Sequence, residues 1–275
     1  FHILASATIQ NPPFDKNVFS AVKDLRLSSK SKTVSGKDIE ITDEFLNVIE
    51  KHNEKPFFGF LFYDAPHGFE YPEDYVLPFL PSLDVVNYLE LDDDYDPTLF
   101  YNRYKNSVHF VDQQIGRIID KLEENNLLDS TIIVITGDHG QEFNDNKKGY
   151  WQHGGNFTKY QIKVPMLIFD TDKEPKTFSD LSLHYDIVPT LMSNYLGVTT
   201  SMNDYSFGQN LFSLEPRDWF VSGYVVHAGL LQGVWYFCQY LVGIEYCAVD
   251  GVHVVVVCHV NLAGYCGYCV DNGYG

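Results

Sequence analysis

The chain has 275 residues, with 19 basic against 37 acidic side chains and a formal charge of −18. That length suffices for one large α/β domain or two modest ones, and a hydrophobic content of 45% excludes disorder as the default. The acidic balance excludes nucleic acid as a partner class, because phosphate binding needs a basic surface, but it leaves room for a local anion site built around a divalent cation.

No run of 18 or more apolar residues occurs, so nothing reads as a membrane-spanning helix. The chain starts at Phe1 without a signal-peptide pattern and is expected to be part of a longer protein. All five cysteines lie at position 238 or later. Cys266 and Cys269 have C-x-x-C spacing, but the second ligand pair of a zinc knuckle is missing.

In chain order, residues 1–36 read as a polar, loop-rich entry. Thr42 is expected to cap a helix with Asp43 and Glu44 in its first turn and Phe45, Val48 and Ile49 on its buried face, ending near Asn53. Phe57 to Tyr63 is a continuous apolar run fitting a strand buried on both faces. It delivers Asp64 and His67 into a loop. The next segment is rich in Pro, Tyr and Asp, and its cluster from Asp92 to Asp96 lacks the alternation and glycine of an EF-hand, so it reads as a solvated acidic loop. Tyr101 to Asn126 has helical spacing of Val108, Val111, Ile115, Ile118 and Leu122. A strand is expected at Thr131 to Thr136, another at Val164 to Asp170, and a helix from an Asp186 cap to Leu196 with Gly197 as its stop. This order predicts an α/β fold with a mostly parallel sheet flanked by helices.

After Arg217 there is neither lysine nor arginine. Residues 218–275 are therefore set apart from residues 1–217 as a β-rich appendage of uncertain fold. Val252 to Val260 reads as a strand, and the composition of the last 35 or so residues also fits a shifted reading frame.

The chemistry concentrates where Thr131 to Thr136 ends at Gly137. Asp138 and His139 follow in the turn, outside the carboxyl end of a strand, where open α/β sheets bind ligands. One hard oxygen and one imidazole suit zinc or manganese better than magnesium. His153 comes 14 residues after His139, followed by Gly154 and Gly155, whose lack of a Cβ permits close backbone approach. Such a site could polarise a phosphoryl or sulfuryl oxygen and activate a hydroxyl nucleophile. Residue types alone leave two readings open, a hydrogen-bonded turn and one edge of a metal site.

The strings from Tyr101 to Gly140 (with Asp112, Gly116 and TIIVITGDHG), Tyr150 to Pro165 and Tyr185 to Leu191 (DIVPTL), with YDAPHG at Tyr63 to Gly68, resemble the sulfatase-like branch of the alkaline phosphatase superfamily. In detail GDHGQEFND and YWQHGGNF are most similar to the YejM-type inner-membrane proteins, with lipoteichoic acid synthases and phosphoethanolamine transferases as cousins. The resemblance implies that Asp138 and His139 ligate a divalent ion (zinc, manganese or calcium), that His67 contacts the phosphate or sulfate of the ester substrate, and that His153 faces the substrate head group, with a lipid head group among the candidates, or a second metal. It implies structural roles for Asp112 and Asp186. The nucleophile and its acidic metal ligand, which the family carries on an N-terminal strand, have no counterpart between Phe1 and Pro56, so no catalytic nucleophile is assigned and the chain is expected to be an N-terminally incomplete, inactive part of the domain. An inner-membrane protein with this domain facing the periplasm or the cell exterior is the implied setting. The alternative implied by the same resemblance is a catalytically inactive, lipid-binding regulator of the bacterial envelope.

Overall fold

A computed structural model describes residues 1–52, 55–154, 156–224, 227–232, 235–238 and 253–258. These fall into two compact units, 1–172 with 253–258 and 173–238. The fold is mixed α/β, with helices beside a mostly parallel sheet, as the motif order predicts.

The first unit is built on a five-stranded sheet. Its strands are β1 (His2–Ala5), β2 (Phe58–Phe62), β3 (Thr131–Thr136), β6 (Met166–Phe169) and β10 (His253–Cys258), in spatial order β1-β2-β10-β3-β6. A helix intervenes between β1 and β2 and another between β2 and β3, and such long crossovers let successive strands run parallel. β1, β2, β10 and β3 are parallel, and only the edge strand β6 is antiparallel. β10 enters from the tail and lies between β2 and β3, pairing Val256 with Phe60 on one side and Val134 on the other. Val252, Val260 and the Cys266 and Cys269 pair lie outside the described residues.

Two expectations for the N-terminal region are corrected. Residues 1–36 are not all loop, because the apolar His2–Ala5 pairs with β2 as β1. Thr42 is not a cap. Helix α1 spans Val34–Glu50 and is capped by Thr33, whose Oγ1 accepts the Gly36 N–H at 3.1 Å. The helix starts early because its buried stripe extends back through Ile41 and Asp38, leaving Thr42 inside the core with its hydroxyl on the Asp38 carbonyl and the Tyr63 hydroxyl. Phe45 packs directly over Gly59 of β2, where a Cβ would collide with its ring.

Helix α3 (Thr98–Glu124) forms the other large wall of the core, burying Phe100, Tyr104, Val111, Ile115, Ile118 and Leu122. The short helices α2 (Ala65–Gly68) and α4 (Lys159–Ile162), and the two-residue strands β4 (Glu142–Phe143) and β5 (Trp151–Gln152), lie in the loops that follow β2 and β3.

The second unit contains helix α5 (Ile187–Asn194) and a meander of β7 (Trp219–Tyr224), β8 (His227–Gln232) and β9 (Trp235–Cys238). Asp186 precedes α5, but its carboxylate does not cap that helix. It accepts the N–H groups of Leu183 and Gln209, both at 2.8 Å, and Nη2 of Arg217 at 2.6 Å. The Arg217 guanidinium and these amides draw the side chain away from α5, and all the named partners serve structure. Gly197 takes a left-handed φ of 63° just beyond α5, the conformation a helix stop requires.

Candidate metal and ester site

Because β2 and β3 run parallel, both release their loops from the same edge of the sheet. With β10 between them, the strand ends stand about 10 Å apart by ordinary strand spacing, so the loops must lean together to form one site. They do.

At the end of β3, the Asp138 carboxylate accepts the His139 N–H at 2.9 Å, and the same oxygen lies 3.6 Å from His139 Nε2. His139 Nδ1 sits 3.0 Å from the Gly140 carbonyl. A carbonyl only accepts, so Nδ1 carries the proton and the lone pair of the neutral ring is on Nε2, beside the carboxylate. A backbone carbonyl orienting the non-ligating nitrogen is the usual support of a metal-binding imidazole. His153 is arranged similarly, its Nδ1 lying 3.0 Å from the side-chain oxygen of Gln141. The two rings stack with centroids 3.8 Å apart.

At the end of β2, Asp64 precedes α2 and His67 lies within it, with His67 Nδ1 3.9 Å from Asp64 Oδ1. The His67 ring stands 5.0 Å from that of His153 and 6.4 Å from that of His139. All four residues singled out from the sequence, His67, Asp138, His139 and His153, thus come together, and Asp64 joins them. Gly154 adopts a φ of 81°, while Gly155 lies outside the described residues.

Packing explains the convergence. Phe69 follows α2 in a left-handed conformation (φ 51°) and meets Phe100 at 4.7 Å, while Phe143 of β4 meets Phe100, Tyr101 and Tyr104 at 5.1 to 5.2 Å. Both loops are therefore keyed to one aromatic face of α3. The β3 side is further held by Glu142, which is fully buried and whose Oε2 accepts from Gln161 Nε2 (2.8 Å), Asn156 Nδ2 (3.0 Å) and Thr158 Oγ1 (3.1 Å). Gly140 donates its N–H to the Gln161 carbonyl at 2.7 Å, and a Cβ there would collide with the Tyr160 carbonyl oxygen.

Two residues that sequence reasoning did not single out shape the site. Gln141 orients His153. Asp38 of α1 is fully buried, and its two oxygens accept the N–H groups of Asp64 at 3.0 Å and Ala65 at 2.9 Å. Burial pushes its carboxyl up to about 7, against the hydrogen bonds of Ser6 and the two amides, which favour the charged form. The available signal was a carboxylate in register with Ile41, Phe45 and Ile49 on the apolar stripe of α1.

The donor set fits part of a metal site. A tetrahedral zinc ion with bonds of about 2.0 to 2.1 Å holds its ligands about 3.3 Å apart, close to the observed 3.6 Å between Asp138 Oδ1 and His139 Nε2. Among the described residues, no group of three or more His, Cys, Asp or Glu side chains is arranged to hold an ion. At 3.6 Å, Asp138 Oδ1 and His139 Nε2 are spaced as two neighbouring ligands of one ion would be.

The Sulfatase family model matches residues 3–198. The chain belongs to the sulfatase family. It is 30% identical over 126 residues to the inner membrane protein YejM of Salmonella typhimurium, covering 46% of this chain and 20% of YejM. It is 31% identical over 134 residues to the lipoteichoic acid synthase-like protein YvgJ of Bacillus subtilis, covering 45% of this chain and 21% of YvgJ. The chain thus matches about a fifth of the length of either relative. Among solved structures, the phosphonate monoester hydrolase of Agrobacterium radiobacter superposes with a TM-score of 0.56 at 18% identity, over 79% of this chain and 54% of that one. That likeness concerns the fold.

Proposed function

We propose that the protein is a metal-dependent hydrolase or transferase of phosphate or sulfate esters, with this chain supplying one side of its active site. The observation that carries the reading is the meeting of Asp138 and His139 with His67 and His153 at one edge of the sheet, in a chain of the sulfatase family. Asp138 Oδ1 and His139 Nε2 would hold the divalent ion, zinc, manganese or calcium. When bound, such an ion polarises a phosphoryl or sulfuryl oxygen. His67 and His153 present imidazoles beside that edge, where they would hydrogen-bond the non-bridging oxygens of the ester and fix its orientation.

The inner-membrane relative YejM supports a protein held at the inner membrane, and the lipoteichoic acid synthase-like relative YvgJ a lipid-linked head group as substrate. Among the described residues, no helix is long and apolar enough to cross a membrane. The test is aryl phosphatase and aryl sulfatase activity of the protein expressed from its complete reading frame, with and without Asp138→Ala. Activity that falls at least a hundredfold in the variant supports the reading, and a fully active variant overturns it. No turnover of either ester, combined with specific lipid binding, would replace it with the inactive regulator.

A further inference from the structure

We infer that Asp38 is the positioning residue of the β2 side of the site: from helix α1 it clamps the backbone of Asp64 and Ala65, and so sets where His67 stands. The inference rests on the reading of His67 as an ester contact and adds a residue that the site motifs do not include.

The turn at Asp64 would ordinarily hold itself. An Asp at the head of a helical turn caps it with its own carboxylate. Here the Asp64 side chain makes no cap bond, and its backbone at that position is helical rather than extended. The Asp64 and Ala65 N–H groups are instead satisfied by Asp38, 26 and 27 residues earlier in the chain, each on a separate carboxylate oxygen. The Asp64 carboxylate is thereby turned toward His67, 3.9 Å away.

The clamp is built on rigid parts. Asp38 sits on the buried stripe of a 17-residue helix, one turn before Thr42, whose hydroxyl meets the Tyr63 hydroxyl at 2.9 Å. Ser6 stands beside Asp38, and its N–H and hydroxyl donate to the Phe62 carbonyl at 3.0 and 3.1 Å. The ends of β1 and β2 and the first half of α1 therefore meet at this one carboxylate. Placing an ionisable group at a fully buried position is costly unless its bonds are needed there. Those bonds go to the two residues that begin the turn carrying His67.

The experiment compares the parent chain with Asp38→Asn and with Thr42→Val, which removes two neighbouring buried hydrogen bonds, to the Asp38 carbonyl and the Tyr63 hydroxyl, and keeps the Asp38 carboxylate. Imidazole NMR signals, assigned through His67→Gln, and amide exchange of Asp64 and Ala65 are read without ligand. The inference expects Asp38→Asn to shift the His67 signals and to speed exchange at Asp64 and Ala65 at least tenfold beyond the change in Thr42→Val, with His184 signals unmoved. A folded Asp38→Asn variant with parental His67 signals and parental exchange overturns it. Should Asp38→Asn fail to fold, Ala65→Pro, which deletes one clamped N–H and keeps Asp38, must shift the His67 signals, and unchanged signals overturn the inference equally. Titration with phenyl phosphate is scored separately: a ligand that leaves His67 unmoved counts against the ester-contact reading and leaves the ligand-free result standing.

Discussion

The ends of β2 and β3 carry the same residue types, an aspartate and a histidine apiece, yet they are held by different means. The β3 end is organised largely by near neighbours in sequence: Asp138 bonds the next N–H, His139 the next carbonyl, and Glu142 gathers three side chains within 19 residues. The β2 end is held from a distance, by a carboxylate on another helix. A turn stabilised locally survives the loss of any one remote contact, whereas a turn stabilised by one buried carboxylate inherits the titration of that group.

That difference predicts a pH signature confined to the β2 side. Burial raises the Asp38 pKa to about 7 from its ordinary 3.8, so between those values the folded chain holds a proton that the unfolded chain has released. Stability from this group is greatest below about pH 4 and declines as pH rises through 7. Asp38→Asn cannot titrate. The stability gap between the parent and the variant should therefore move by up to about 4 kcal/mol in favour of the variant from pH 4 to pH 8, measured by urea unfolding. Parallel pH curves would show that the two strand ends are not held differently.

On the β3 side the largest single loss should come from Glu142→Ala, which leaves the donors of Asn156, Thr158 and Gln161 without their shared acceptor. Urea unfolding at neutral pH should record a loss of about 3 kcal/mol. A change below about 0.5 kcal/mol would mean that this buried network is replaced by water at little cost. Asp138→Ala should do least to stability, within about 0.5 kcal/mol, because the side chain is 42% exposed and its bond to the His139 amide is a local one.

The contrast also explains what could be read from the sequence. The TIIVIT run matches β3 residue for residue, and FFGFLFY contains β2, because an unbroken apolar run bounded by turn residues leaves little alternative. The meeting of His67, Asp138, His139 and His153 was legible because a parallel sheet sends both loops off one edge. The start of α1 was misplaced because Thr33 and Thr42 are equally good caps by residue type, and only the packing of Ile41 and Asp38 decides between them. The role of Asp38 was hidden for a similar reason: a contact across 26 residues leaves no local pattern. The tail strand His253–Cys258 was visible as a run of valines, but its central place in the sheet was not, since periodicity does not specify partners.

The central claim is that Asp138 and His139 form the edge of a divalent-metal site beside His67 and His153. Manganese tests it most directly, because this hard ion favours oxygen and imidazole donors over the tail cysteines, and its unpaired electrons broaden NMR signals of nearby groups. Titrating Mn²⁺ into the chain should broaden the His139, His153 and His67 signals first, with the midpoint moving at least tenfold higher in Asp138→Ala. Broadening that begins elsewhere, or a midpoint that Asp138→Ala leaves unchanged, would contradict the account.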